Sequence, residues 1–187
     1  MVNAAMVQLI LFILASIVIF LLSRRSMRSK GHHGFYRFFA FEAVTLQLVL
    51  NLPYWFVNPF SWTQCISWLL LCLSIPLVLS GFSLLRKAAN AGTRRDGNAN
   101  FSFENTGRLV TTGPYRLIRH PMYASLLLLT WGSFFKKPSI FGALVSSAAS
   151  AFLALTAKTE ERENIKTFGK EYRSYMKTSR MFIPYLW

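Results

Sequence analysis

Acidic residues are scarce in this chain. Asp and Glu number 7 among 187 residues, against 21 Lys and Arg, for a formal net charge of +14. Charged residues of both signs reach only 15%, below the roughly 25% typical of soluble domains. With 53% hydrophobic residues and a mean hydropathy of +0.35, the composition excludes an ordinary soluble fold. Cysteine is confined to Cys65 and Cys72, which rules out a disulfide framework. Both lie in one apolar run, where buried thiols are expected. No Gly-x-Gly-x-x-Gly or phosphate loop occurs, so a soluble dinucleotide domain is not indicated. No Ser-His-Asp arrangement stands out. His32-His33 has no Cys or acid near it in sequence, which predicts a basic loop and no metal centre.

What remains is apolar length. A bilayer core is crossed by about 20 consecutive apolar residues in helical form. Residues 4–22 make such a run, followed by Ser23-Arg24-Arg25 and not by small cleavage-site residues, so it reads as a retained span. Further runs cover residues 35–56, with Arg37 and Glu42 inside, and 65–85, with Pro76 as an expected kink. Residues 122–135 and 140–157 follow, the first of them short for a span. Between them, residues 86–120 are polar and basic, a predicted loop. Residues 158–177 are strongly charged, a predicted amphipathic surface helix. The expected fold is thus an all-α membrane bundle of five spans with a carboxy-terminal amphipathic helix. One membrane domain is expected, with three amino-terminal spans in 1–85 and a cofactor-binding loop, two spans and the last helix in 86–187.

The distribution of basic residues orients these spans. Segment 23–34 holds Arg24, Arg25, Arg28 and Lys30, whereas 57–64 holds none. Segment 86–120 is rich in arginine, the 136–138 turn holds Lys136 and Lys137, and the tail from Lys158 is basic again. The positive-inside rule then places the amino terminus outside or in a lumen and the carboxy terminus in the cytosol. Anionic membrane lipid, not nucleic acid, is the partner this charge predicts. The 86–120 loop and the tail, which carry nearly all the polar chemistry, fall on one face.

Three segments on that face could carry chemistry. Leu109-Val110-Thr111-Thr112-Gly113-Pro114-Tyr115 leads into Arg119-His120-Pro121-Met122-Tyr123. Gly113-Pro114 signals a turn, and His120-Pro121 sits where a loop enters a helix. Helix starts favour anionic groups. An interfacial aromatic belt with a basic anchor accounts for the same residues about equally well. The second segment is Glu160-Glu161-Arg162-Glu163, part of a cluster in an otherwise acid-poor chain. Intrahelical pairing, such as Glu163 with Lys166, explains part of it. Glu160 directly follows the apolar run and has Asn164 at i+4, so it is a site candidate. The third is Phe168-Gly169-Lys170-Glu171-Tyr172-Arg173-Ser174-Tyr175, in which Tyr172 and Tyr175 share a helix face.

Taken in order, Leu-Val-Thr-x-Gly-x-Tyr, Arg-His-Pro-x-Tyr, Glu-Glu, Phe-Gly-x-x-Tyr-x-x-Tyr and a terminal Ile-Pro resemble the isoprenylcysteine carboxyl methyltransferase and phospholipid methyltransferase family of integral membrane enzymes. The resemblance covers about residues 100–185. It implies methyl transfer from S-adenosyl-L-methionine to a lipophilic acceptor, such as a prenylcysteine carboxylate or a lipid amine, at the cytosolic face. The cofactor-binding positions it implies are Asn100, Gly107, Arg108, Leu109, Val110, Tyr115, His120, Pro121, Met122, Tyr123 and Glu160. It assigns no catalytic residue and no metal. Members acting on prenylated cysteine carry an arginine about one turn before the glutamate; here that position is Thr156. Ser125 also replaces a family glycine. The endoplasmic reticulum is one candidate membrane in a eukaryotic cell. A sterol-type NADPH reductase has a similar carboxy-terminal half, but it usually carries Asn where Met122 stands and Gly-Asp after the tyrosine. A non-catalytic membrane protein is the third alternative, and it predicts no cofactor binding.

Overall fold

The computed structural model describes residues 3–27, 32–91 and 108–184. These form six α-helices: α1 (Ala4–Met27), α2 (His33–Asn51), α3 (Trp62–Ala91), α4 (Pro121–Phe134), α5 (Ile140–Phe168) and α6 (Lys170–Thr178). No strand occurs among the described residues; a single parallel bridge joins Ile118 to Arg180.

By length and composition, α1, α3 and α5 could each cross a membrane. The 19-residue α2 reaches about 28 Å and the 14-residue α4 about 21 Å at 1.5 Å per residue. The helices start and stop for local reasons. Pro121 occupies the first position of α4, where its missing N–H loses nothing. The Ser139 side chain caps α5 by accepting from the Gly142 N–H. Pro76 lies within α3 without ending it. That helix runs on to Ala91, six residues past the expected limit at 85. The start of the predicted 86–120 loop is therefore helical.

The tail also differs from expectation. The helix predicted over 158–177 is divided, because α5 continues through Phe168 and stops at Gly169. Gly169 adopts φ 55°, a left-handed conformation that a side chain at Cβ disfavours. The chain restarts as α6, which buries Tyr172 and Tyr175 and exposes Lys170, Glu171, Arg173 and Lys177. The cysteines are a further correction. Cys65 and Cys72 are both exposed, on the outward face of α3. In a membrane bundle the apolar face points outward, so an apolar run does not imply burial.

The first two helices run antiparallel. Gln8 near the start of α1 donates to the carbonyls of Val49 and Leu50 at the end of α2, and Ser16 donates to Glu42 at 2.6 Å. The α2–α5 and α3–α4 interfaces carry most of the packing. Fully buried Ala40, Ala149 and Ala157 let helix backbones approach closely, as small residues do in membrane bundles. At one end of the bundle, polar side chains join the elements. Asn51 donates to Ser133 O, Ser67 to Gly132 O and Ser133 to Gln47 O. Buried Lys136 donates to Gln64 and sits 3.4 Å from the Trp68 ring centroid. The other end is where α3 leaves, α4 begins, and α5 projects. At 1.5 Å per residue, about 20 residues of α5 cross a ~30 Å core. Counted from Ile140, that length ends near Thr159, one residue before Glu160.

Candidate active site

The approach to α4 is laced to the carboxy-terminal segment. The Arg119 N–H donates to Arg180 O, the His120 N–H to Met181 O and the Arg180 N–H to Leu117 O. The Tyr175 hydroxyl donates to Tyr115 O at 2.5 Å, tying α6 to the 3-10 turn Gly113–Arg116. Gly81 of α3 makes this meeting possible. A Cβ there would lie 3.1 Å from Met122 Cγ and 3.5 Å from Pro121 Cγ. Residues distant in sequence are thereby brought around the start of α4.

Two adjoining cavities open at this point. One, of about 70 Å³, is lined by Leu85, Tyr115, Arg119, His120, Met122, Tyr123 and Glu160. The other, of about 80 Å³, shares Leu85, Tyr115, Arg119 and Glu160 and adds Arg108, Leu109 and Val110 on one wall. Asn164, Phe168, Tyr172 and Tyr175 form its opposite wall. Eight of the eleven expected positions thus line one place: Arg108, Leu109, Val110, Tyr115, His120, Met122, Tyr123 and Glu160. Pro121 does not line it; fully buried, it packs at Gly81 behind the wall. Asn100 and Gly107 lie outside the described residues.

The two glutamates of the Glu-Glu pair have different surroundings. Glu161 Oε1 accepts from Arg119 Nε at 2.6 Å, and both side chains are buried. Arg119 also donates to Ser179 O, so this pair fastens the α4 approach, α5 and the end of α6 together. Glu160 is a third exposed; it accepts from the Tyr123 hydroxyl at 2.6 Å and lies 4.0 Å from His120 Nδ1. No Arg or Lys pairs with Glu160 among the described residues. Its negative charge is therefore turned toward the cavities, while that of Glu161 is offset within the scaffold.

His120 is buried and stacks on Tyr123, with ring centroids 5.4 Å apart. Its Nε2 is 3.4 Å from Glu161 Oε1 without hydrogen-bond geometry. The phenols are held neutral. Burial, and then the Glu160 charge, push Tyr115 well above its ordinary value. Burial and the Glu161 charge do the same for Tyr172, and Tyr175 is pushed up to about 12, chiefly by burial. None of the three is a base near neutral pH.

Glu163 departs from expectation. It does not pair within its helix but accepts from His33 Nδ1 at 2.6 Å and from the His33 backbone N–H at 3.1 Å, with His32 Nδ1 at 3.2 Å. The two histidines are therefore the tether between the start of α2 and the end of α5, not a free basic loop. No metal-holding group of His, Cys, Asp and Glu occurs among the described residues.

Sequence reasoning missed Leu85, Arg119, Asn164, Phe168, Tyr172 and Tyr175 as cavity walls. A signal existed for two of them. Glu160, Asn164 and Phe168 are spaced by four and therefore share one stripe of α5.

All the walls of the site except Tyr172 and Tyr175 lie within the segment that comparison with known proteins picks out. The model of the phospholipid methyltransferase family matches residues 62–171, from the start of α3 to the start of α6. A methanethiol S-methyltransferase from Pseudomonas deceptionensis is 32% identical over 73 residues, covering 38% of this chain and 27% of that protein. The match thus spans little more than a quarter of that relative's length. No solved structure matches the chain. Since the family model covers more than half of the sequence and includes both the α4 approach and the Glu-Glu pair, the chain belongs to the phospholipid methyltransferase family.

Proposed function

We propose that this protein is a multi-pass membrane methyltransferase that moves a methyl group from S-adenosyl-L-methionine to a lipophilic acceptor at the cytosolic membrane face. The observation that carries the reading is Glu160, a carboxylate that pairs with no Arg or Lys among the described residues and stands in cavities lined largely by phenols and apolar side chains. In this reading α2 and α4 complete five crossings within one membrane domain, with the carboxy terminus in the cytosol.

The chemistry of the donor set fits a small cationic amino acid nucleoside. Glu160 is suited to hold an ammonium, and Leu85, Leu109 and Val110 offer an apolar slot to a base. Tyr115 and Tyr123 present aromatic faces, which attract cations. When bound, the donor supplies a methyl group carried on a sulfonium. Arg119 and Glu161 keep the wall that carries His120 and Glu160 in place. The protein's contribution is alignment of two reactants in a site with little water.

The acceptor need not be a carboxylate. Thr156 is fully buried and donates its hydroxyl to Phe152 O, so no cation stands where the prenylcysteine enzymes carry one. Lipid amines and thiols are the acceptors this favours, and the name of the methanethiol relative adds weight to thiols. The test is incubation of the full chain in membranes with methyl-labelled donor and total lipid extract. Label should pass into the organic phase, and Glu160→Gln should abolish it. Equal labelling by the variant, or none with any extract, would overturn the assignment.

A further inference from the structure

The last part of α5 carries one wall of the donor cavities beyond the reach of the bilayer. Glu160, Asn164 and Phe168 line those cavities. All three follow Thr159, near which the ~30 Å hydrocarbon core ends. A projecting helix end opens easily unless other elements hold it. Two ties hold this one. The first joins Glu161 to Arg119 at 2.6 Å. The second joins Glu163 to the start of α2. Its carboxylate accepts the His33 backbone N–H at 3.1 Å and stands 2.6 Å from His33 Nδ1 and 3.2 Å from His32 Nδ1.

The second tie also completes α2. Its N-cap residue His32 makes no side-chain cap, and α2 has no acid in its first turn. Glu163 supplies both the acceptor and the negative charge that a helix start favours. The tie ends on a packed helix, since Phe39 of α2 stacks on Phe152 of α5 with ring centroids 5.3 Å apart. The two ties flank the donor wall. At about 100° per residue, Glu160, Asn164 and Phe168 span about 80° of the helix circumference. Glu161 stands about 60° to one side of the middle of that stripe, and Glu163 about 100° to the other. Together they fix the rotation of the helix end, whereas either alone acts as a pivot. Glu163, His32 and His33 line neither donor cavity. The family match begins at residue 62, so α2 and His32 lie outside it.

We infer that His33 and Glu163 are a positioning pair for the donor site, setting the rotation of the α5 end so that Glu160, Asn164 and Phe168 face the cavities. The inference rests on the reading of those cavities as the site of the methyl donor. The pair touches no reactant. It acts through Glu160, one turn back on the same helix, and its partner residues come from the amino-terminal half of the chain.

The test uses the full chain in detergent with two readouts. Hydrogen–deuterium exchange without donor follows the amides of residues 160–168, and equilibrium binding of radiolabelled S-adenosyl-L-methionine follows the site. Glu163→Ala should speed exchange in 160–168 about tenfold and leave α3 and α4 unchanged, as local opening does. Alanine favours helix, so faster exchange reports the lost tie and not a lost propensity. The same variant should weaken donor binding about fivefold, in the range that residues away from a ligand exert through a packed network. His33→Ala should act in the same direction. His33→Asn, whose side-chain N–H can take the place of Nδ1, should return both values to within about twofold of the parent chain. Unchanged exchange in Glu163→Ala would overturn the tie, whether or not the donor binds. Exchange that rises equally throughout the bundle would show general destabilisation and overturn it as well. Faster local exchange with full donor affinity would overturn the positioning role, and His33→Asn as weak as His33→Ala would overturn the side-chain contact. A parent chain that binds no donor would end the donor reading and the positioning role with it, and exchange would still decide the tie.

Discussion

Glu160→Gln and Glu161→Gln are the same chemical change at adjacent positions, yet they should fail in opposite ways. Glu161 is paired with Arg119 Nε at 2.6 Å, and both side chains are at most 9% exposed. Glu161→Gln leaves a buried guanidinium without its counter-charge. Removing one partner of a buried pair costs ~3–5 kcal/mol. Arg119 retains the carbonyls of Ser179 and Met176 as acceptors, so the lower figure of about 3 kcal/mol applies. For a chain of this length that lowers the midpoint of thermal unfolding by about 6–12 °C. Glu160 is a third exposed and held by one phenol. Glu160→Gln should shift the midpoint by less than 2 °C, within the range of surface changes. It should instead weaken donor binding by about 1.5–3 kcal/mol, roughly 10- to 150-fold, the value of a hydrogen bond to a charged group. Thermal unfolding in detergent and titration calorimetry read the two effects separately. Equal destabilisation by both variants would refute the division of roles. So would a Glu161→Gln midpoint within 2 °C of the parent chain.

His120→Ala should weaken S-adenosyl-L-methionine binding at least tenfold by calorimetry, since it removes the buried ring that stacks on Tyr123; unchanged affinity would remove His120 from the site. NADPH should show no saturable binding, and saturable binding would favour a reductase. Gly169→Ala should cost about 1 kcal/mol in thermal unfolding, because φ is 55° there and there is open space around the Cβ position, so the cost is conformational. Tyr115, Tyr172 and Tyr175 are all raised above the ordinary phenol value of 10.0. The folded state then holds protons that the unfolded state releases above pH ~10. Their contribution to stability is intact below that pH and falls as pH rises toward about 12. The unfolding midpoint should be flat from pH ~7 to ~9.5 and drop beyond ~10; a drop centred near pH ~8 would contradict it.

The helical bundle was legible because hydropathy reports directly on helices that contact lipid. The runs at 4–22, 65–85 and 140–157 all lie inside observed helices. Their ends were less legible. The predicted loop began too early because Arg86 and Lys87 looked like solvent, although a helix can continue past the membrane. The 158–177 segment looked uniform in charge, and the backbone conformation of Gly169 that divides it leaves no trace in hydropathy. Burial was inverted for Cys65 and Cys72 because the rule used there is one for aqueous folds. In the site, His120, Tyr123 and Glu160 were readable from motif order. The Arg119–Glu161 pair and the His33–Glu163 tether were not, since each joins segments far apart in sequence. Tyr172 and Tyr175 were readable as a buried face, but not as cavity walls, because the turn at Gly169 decides where that face points.

The central claim is that the α4 approach and the Glu-Glu turn together hold one methyl donor. Equilibrium binding of radiolabelled S-adenosyl-L-methionine to the full chain in detergent tests it most directly. Saturable binding, displaced by S-adenosyl-L-homocysteine and weakened by Glu160→Gln at an unchanged unfolding midpoint, is the predicted result. Absence of saturable binding by a folded chain, or full affinity in the variant, would contradict it.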